Sequence, residues 1–195
     1  MTDTLAHSLP ALSPELALQA LQAGNRRFAL GAGIHPNQTL NRRDEIVPAQ
    51  QPFAVVIGCS DSRVPPEIIF DCGLGDLFVV RSAGHVLDDA TVGSVQYAVE
   101  ILGVKLILVL GHSDCGAVKA AVEGVKASGC LGALLEGLAP ILAEAGAGGG
   151  DLLGAGVIKN IQRTVTGLRG ETWTPNLTIV GALYNLKSGL ITLNP

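Results

Sequence analysis

Two runs, Phe53–Ile57 and Leu106–Leu110, are apolar at every position, the pattern of strands covered on both faces. Leu77–Val80 and Leu177–Val180 are shorter runs of the same kind. Between them Val92, Val95, Val99 and Leu102 recur at helical spacing, after a capping Asp88 or Asp89 and before a closing Gly103. Strand, helix and strand in that order predict right-handed βαβ units. The resulting fold class is α/β: a mostly parallel central sheet of about four strands, with helices on both faces. Tyr184–Leu193, turned at Lys187-Ser188-Gly189, supplies an antiparallel edge strand.

Ser13-Pro14-Glu15 is a helix start, Ser capping and Pro at the first helical position, and the amphipathic run to about Leu30 stops at Gly31. It is expected as an N-terminal helical arm or outer helix, followed by a polar loop over Gly33–Gln51. Pro65-Pro66-Glu67 opens a short helix, and further helices are expected over Cys115–Val125, over Gly129–Ala145 with an interruption at Pro140, and over Ala155–Leu168. Gly146–Gly150 is a flexible loop too short to separate domains. Residues 1–195 are therefore expected as one domain, with an arm and loop over 1–50 and an α/β core over 51–195.

Composition adds an expectation about assembly. With 48% hydrophobic residues and a mean hydropathy of +0.41, the chain carries more apolar surface than a dispersed monomer needs. Part of that surface is expected at an interface between copies, in a homodimer or a tetramer of dimers. Only 4% of residues are aromatic, so the core is expected to be aliphatic. A net charge of −4 with 15% charged residues leaves no basic footprint for nucleic acid or an anionic membrane. Met1–Pro10 lacks a basic-then-apolar leader pattern, and no uninterrupted apolar stretch reaches the roughly 20 residues of a membrane span. A cytoplasmic location is expected. Cys59, Cys72, Cys115 and Cys130 could form two disulfides in a secreted chain, whereas a reducing compartment reserves them for metal or chemistry.

Three of the polar residues that follow these strands are soft metal donors. Cys59 follows the first long apolar run, and His112 and Cys115 follow the second. In open α/β sheets the ends of neighbouring strands converge on one site, so the three are expected together. Zn²⁺ prefers four ligands, and three protein donors leave one position for water. Asp61 and Arg63 lie in the loop beside Cys59 and can pair, so the carboxylate either fills the fourth position or orients the water there. Other readings stay open: a structural zinc site closed by Asp61, a redox pair of Cys59 and Cys115, or small buried thiols with a core histidine.

Gly58-Cys59-Ser60-Asp61-Ser62-Arg63-Val64-Pro65-Pro66-Glu67, Asp76-Leu77-Phe78-Val79-Val80-Arg81-Ser82-Ala83-Gly84-His85 and Gly111-His112-Ser113-Asp114-Cys115-Gly116 together resemble the β-class carbonic anhydrases. The similarity runs from about Leu21 through Val122 and resumes over Ile179–Tyr184. It implies reversible hydration of CO₂ to bicarbonate and a proton by zinc-bound hydroxide, with Zn²⁺ on Cys59, His112 and Cys115. Asp61 and Arg63 would form the dyad that gates the fourth position, Asp61 becoming the fourth ligand in a closed state. A substrate pocket near Phe78, Ala83 and Tyr97 is implied, with Gln50 supplied across a dimer interface. Hydrolysis of COS or CS₂ on the same site is the related alternative.

His85 is a candidate proton shuttle with a structural alternative. Arg81, Asp71 and Asp76 are expected to be structural, Cys72 a buried thiol and Trp173 a packing residue. Some relatives carry a second bicarbonate site framed by Trp, Arg and Tyr. Val56 replaces the Trp here, while Arg81 and Tyr184 match, so the ordinarily open, uninhibited type is expected. The Gly/Ala-rich region from Lys126 to Leu177 is short for the family.

Overall fold

Parallel pairing joins β1 (Ala54–Cys59) to β2 (Leu77–Ser82) on one side and to β3 (Leu106–His112) on the other. β4 (Thr178–Tyr184) adds in parallel to β3, and β5 (Ile191–Leu193) closes the sheet antiparallel, giving the order β2-β1-β3-β4-β5. This is the expected α/β sheet. The computed structural model describes residues 12–145 and 151–195; the expectations for Met1–Pro10 and Gly146–Gly150 lie outside the described residues.

Every residue of β1 and β3 is buried, as their unbroken apolar runs require. Alternation then sorts the side chains. Val55, Ile57, Ile107 and Val109 pack against α4 (Asp89–Glu100) and α7 (Leu152–Arg169), through Val95, Val99, Ile161 and Val165. Ala54, Val56, Leu106 and Leu108 pack on the other face against α1 (Pro14–Ala29) and Ile69 of α3 (Pro66–Ile69). Ala17 and Leu21 of α1 are fully buried in that cluster, so the N-terminal helix lies as an outer cover on the sheet. Ser13 caps it, accepting from Leu16 N at 3.3 Å. Asn25 pins it down, donating to Ile69 O and Gly189 O and accepting from Ile191 N.

Four local expectations change. The polar loop over Gly33–Gln51 contains a short helix, α2 (Leu40–Glu45), capped by Thr39. The segment read as one turned strand over Tyr184–Leu193 is split: Tyr184 ends β4, and only Ile191–Leu193 returns as β5. Pro140 does not interrupt α6 (Gly129–Ala145); it lies exposed while its neighbours Leu138 and Ile141 are buried against α5 (Gly116–Val122), and that packing carries the helix through. The helix expected from Cys115 is α5, with Cys115 itself as the N-cap.

β1 leads sideways to β2, and the chain then returns to the opposite side of β1 to form β3. The carboxyl ends of β1 and β3 are therefore a topological switch point, where the connections diverge and leave a crevice. Cys59 ends β1 and His112 ends β3.

Candidate metal centre

The parallel register brings Cys59 and His112 to one edge, and the short turn after β3 returns Cys115 beside them. The Sγ atoms of Cys59 and Cys115 are 3.9 Å apart, and the donor atoms of Cys59, His112 and Cys115 all lie within 4.8 Å of one another. All three residues are buried.

His112 shows what the cluster is built to hold. Its Nδ1 faces Ser113 O at 2.8 Å, which fixes the proton on Nδ1 and leaves Nε2 as the bare acceptor. That Nε2 is buried without a hydrogen-bond partner among the described residues. An orphaned imidazole nitrogen facing two sulfurs is a costly arrangement unless a cation satisfies it. Two thiols and an imidazole suit zinc in charge and softness, so the residues fit the metal. Ser113 is itself fixed, since its Oγ accepts from Leu186 N at 3.0 Å.

The sulfurs are chemically unequal. The Cys115 thiol beside Cys59 draws the Cys59 pKa down while its own is pushed up. A soft cation binds sulfur as thiolate and would displace the protons of both. Gly84 N donates to Cys59 Sγ at 3.2 Å and further favours thiolate.

Asp61 lies at the rim. Arg63 donates through Nε to Oδ1 at 2.9 Å, through Nη2 to Oδ2 at 2.7 Å, and through its own backbone N to Oδ1 at 2.9 Å. Those bonds hold the Asp61 carboxyl well below the usual carboxylate range. Arg63 Nη2 also reaches Asp114 O at 3.3 Å, tying the loop after β1 to the turn after β3. Asp61 Oδ2 remains 3.9 Å from His112 Nε2, so the carboxylate borders the donor cluster while bound elsewhere.

Arg81, expected to be merely structural, shapes this loop directly. Its Nε donates to Cys59 O at 2.8 Å and its Nη2 to Asp61 O at 2.7 Å. Arg81 pairs in register with Gly58, a neighbourhood that becomes visible only once β1 and β2 are aligned. Asp71 and Asp76 are structural as expected: Asp71 takes Arg27 Nε at 2.6 Å and the backbone N of Ile34 and His35, and Asp76 takes Asn37 Nδ2 and Gly73 N. Cys72 is buried, donates to Phe70 O and has its pKa pushed up to about 12, chiefly by burial. Trp173 packs against the core, and all four cysteines are free thiols.

The expected pocket residues are more dispersed. Phe78 and Tyr97 approach as tilted rings with centroids 6.3 Å apart, Tyr97 being half exposed. Ala83 starts the 3₁₀ turn Ala83–His85, whose Gly84 reaches Cys59. Gln50 is exposed in the loop before β1. His85, the candidate shuttle, is only 3% exposed. It faces Asn160 and Thr164 of α7, and burial lowers its pKa to about 4, so it is a neutral core histidine rather than a surface relay.

Kinship agrees with this geometry. The family model described as "Carbonic anhydrase" matches residues 54–191. The chain is 42% identical to the carbonic anhydrase of Mycolicibacterium smegmatis over 196 aligned residues, covering 95% of each protein. It is 40% identical to carbonic anhydrase 2 of Mycobacterium tuberculosis over the same share of both. Among solved structures, a tetrameric β-carbonic anhydrase of Sordaria macrospora superposes with a TM-score of 0.72 at 25% identity, over 92% of this chain and 96% of that one. The Coccomyxa β-carbonic anhydrase, solved with acetazolamide, gives 0.71 at 25% identity, over 94% and 86%. With a full-length match in sequence and in fold, the chain belongs to the β-class carbonic anhydrases, an enzyme family.

Proposed function

We propose that this chain catalyses the reversible hydration of CO₂ to bicarbonate and a proton, with Zn²⁺ held by Cys59, His112 and Cys115. The observation that carries the reading is the orphaned His112 Nε2 among two sulfurs, beside an Asp61 already engaged by Arg63. Bound zinc would supply Lewis acidity, bringing the ionisation of water down toward neutral pH. The chain's own residues do the rest. Arg63 keeps the Asp61 carboxylate off the donor set, and Asp61, ionised across the working range, can accept a hydrogen bond from a water beside His112. Arg81 fixes the backbone on both sides of Ser60, so Cys59 and Asp61 keep their separation.

Phe78, Ala83 and Tyr97 would give CO₂ an apolar contact, and Gln50 would complete the pocket from a second copy of the chain. A homodimer or larger assembly also explains the exposed Leu30, Leu40 and Val47. The whole chain would act as one domain. Four free thiols fit a reducing cytoplasm, and among the described residues no helix is long and apolar enough to cross a membrane.

Zinc content and stopped-flow CO₂ hydration test the assignment in Cys59→Ser and Asp61→Asn. Cys59→Ser should lose the metal; Asp61→Asn should keep it and lose rate. Zinc retained in Cys59→Ser, or undiminished hydration in either variant, would overturn the assignment.

A further inference from the structure

The turn beside Cys59 is held in an unfavourable conformation. Gly84 has φ of +64°, where an added Cβ would stand 3.2 Å from both Ala117 and Leu138. The next residue, His85, is also left-handed at φ 45° although it carries a side chain. Glycine takes such a φ freely, but a left-handed histidine is uncommon and persists where its surroundings hold it.

One side chain contacts both residues. Asn160 is buried on α7, and its Nδ2 donates to Gly84 O at 2.6 Å. The same Nδ2 stands 3.1 Å from His85 Nε2. The amide must point its nitrogen this way, because the reversed orientation would set Oδ1 against Gly84 O. Its two hydrogens are thus committed, one to each partner. His85 Nε2 accepts, which places the ring proton on Nδ1, within 3.3 Å of Thr164 Oγ1.

Gly84 donates its N–H to Cys59 Sγ at 3.2 Å. We propose that Asn160 is a positioning residue for the metal centre: by gripping Gly84 O and His85 it keeps the Gly84 N–H aimed at Cys59 Sγ and so sets the donor strength of that thiolate. The inference rests on the zinc assignment above. A hydrogen bond to a ligating sulfur withdraws electron density from it, and such outer partners commonly change metal affinity by about 10–100-fold. Asn160 acts on the metal only through Gly84.

The test uses the Co²⁺-substituted full chain. Asn160→Asp keeps the shape and, as the carboxylate at high pH, removes both donors. The sulfur-to-cobalt charge-transfer band should move to lower energy, because an unbonded thiolate gives up its electrons more readily, and Co²⁺ affinity should change by about 10-fold. Thr164→Val touches His85 but not Gly84, and its band should stay where the parent's is. An unmoved band in a folded Asn160→Asp protein, or an equal shift in Thr164→Val, would overturn the proposal.

If Asn160→Asp does not fold, the parent protein loaded with NMR-active cadmium carries the test. The Gly84 amide proton should couple to the metal through Cys59 Sγ and the Asn160 amide protons should exchange slowly; absence of either would overturn the proposal. Failure of the parent chain to bind one metal per chain through its cysteines would instead count against the zinc assignment itself.

Discussion

Gly111→Ala, at the position just before His112, should show how tightly β3 is wedged against α7. A Cβ built on Gly111 would lie 2.6 Å from both Cγ1 and Cδ1 of Ile161, far inside contact distance. Ile161 is fully buried on α7 and stands as close to Gly181 of β4, so it is wedged between two strands. Overpacking of this kind costs about 1–3 kcal/mol. For a chain of this size each kcal/mol lowers Tm by about 2–4 °C, so Tm should fall by about 2–12 °C.

Ile161→Ala alone should cost about 2–5 kcal/mol, since it empties a packed site. The double variant should recover about 0.5–3 kcal/mol relative to the sum, because the added methyl then occupies space the isoleucine has vacated. The assay is urea or thermal unfolding at one fixed saturating zinc concentration, since metal binding itself raises apparent stability. Strict additivity, or a Gly111→Ala protein as stable as its parent, would refute this packing account.

Arg63→Ala frees Asp61 from its partner while leaving Cys59, His112 and Cys115 intact; zinc content should stay at the parent level and CO₂ hydration should fall, and unchanged hydration would count against the dyad. Asp71→Asn should cost about 2–3 kcal/mol at neutral pH, because Arg27 Nε and the Ile34 and His35 N–H groups bond a buried carboxylate. Burial raises the Asp71 pKa but those bonds outweigh it and hold it below the ordinary value, so the stabilisation is complete above the unfolded-state pKa of about 4 and is lost as pH falls through the folded one. The stability gap between Asp71→Asn and the parent should therefore shrink on acidification; a pH-independent gap would contradict this. Rising bicarbonate should produce no cooperative inhibition in activity assays, since Val56 is fully buried within β1 and Arg81 is committed to Cys59 O and Asp61 O; cooperative inhibition would count against this.

The parts of this protein legible in its sequence are those governed by local pattern. Ser13 and Pro14 announce α1, Asp88 announces α4, and the unbroken apolar runs mark β1 and β3. The metal donors were legible for a related reason, because a residue that ends a buried strand is delivered to the sheet edge whatever else the chain does. What escaped depends on long-range pairing. Arg81 gains its role from register with β1, and Asn25 on a distant helix braces the turn between β4 and β5, donating to Gly189 O and accepting from Ile191 N. His85 has the composition of a shuttle and the surroundings of a core residue. Asn160 had one faint signal, a polar side chain that with Thr164 interrupts Val157, Ile161, Val165 and Leu168 on the buried stripe of α7.

The central claim is that Cys59, His112 and Cys115 hold a zinc that hydrates CO₂. Its most direct test is stopped-flow CO₂ hydration by the full chain at one zinc per chain, repeated after chelation and again after zinc is restored. The account predicts hydration well above the buffer rate, lost on chelation and recovered with zinc; a fully zinc-loaded chain that hydrates CO₂ no faster than buffer would contradict it.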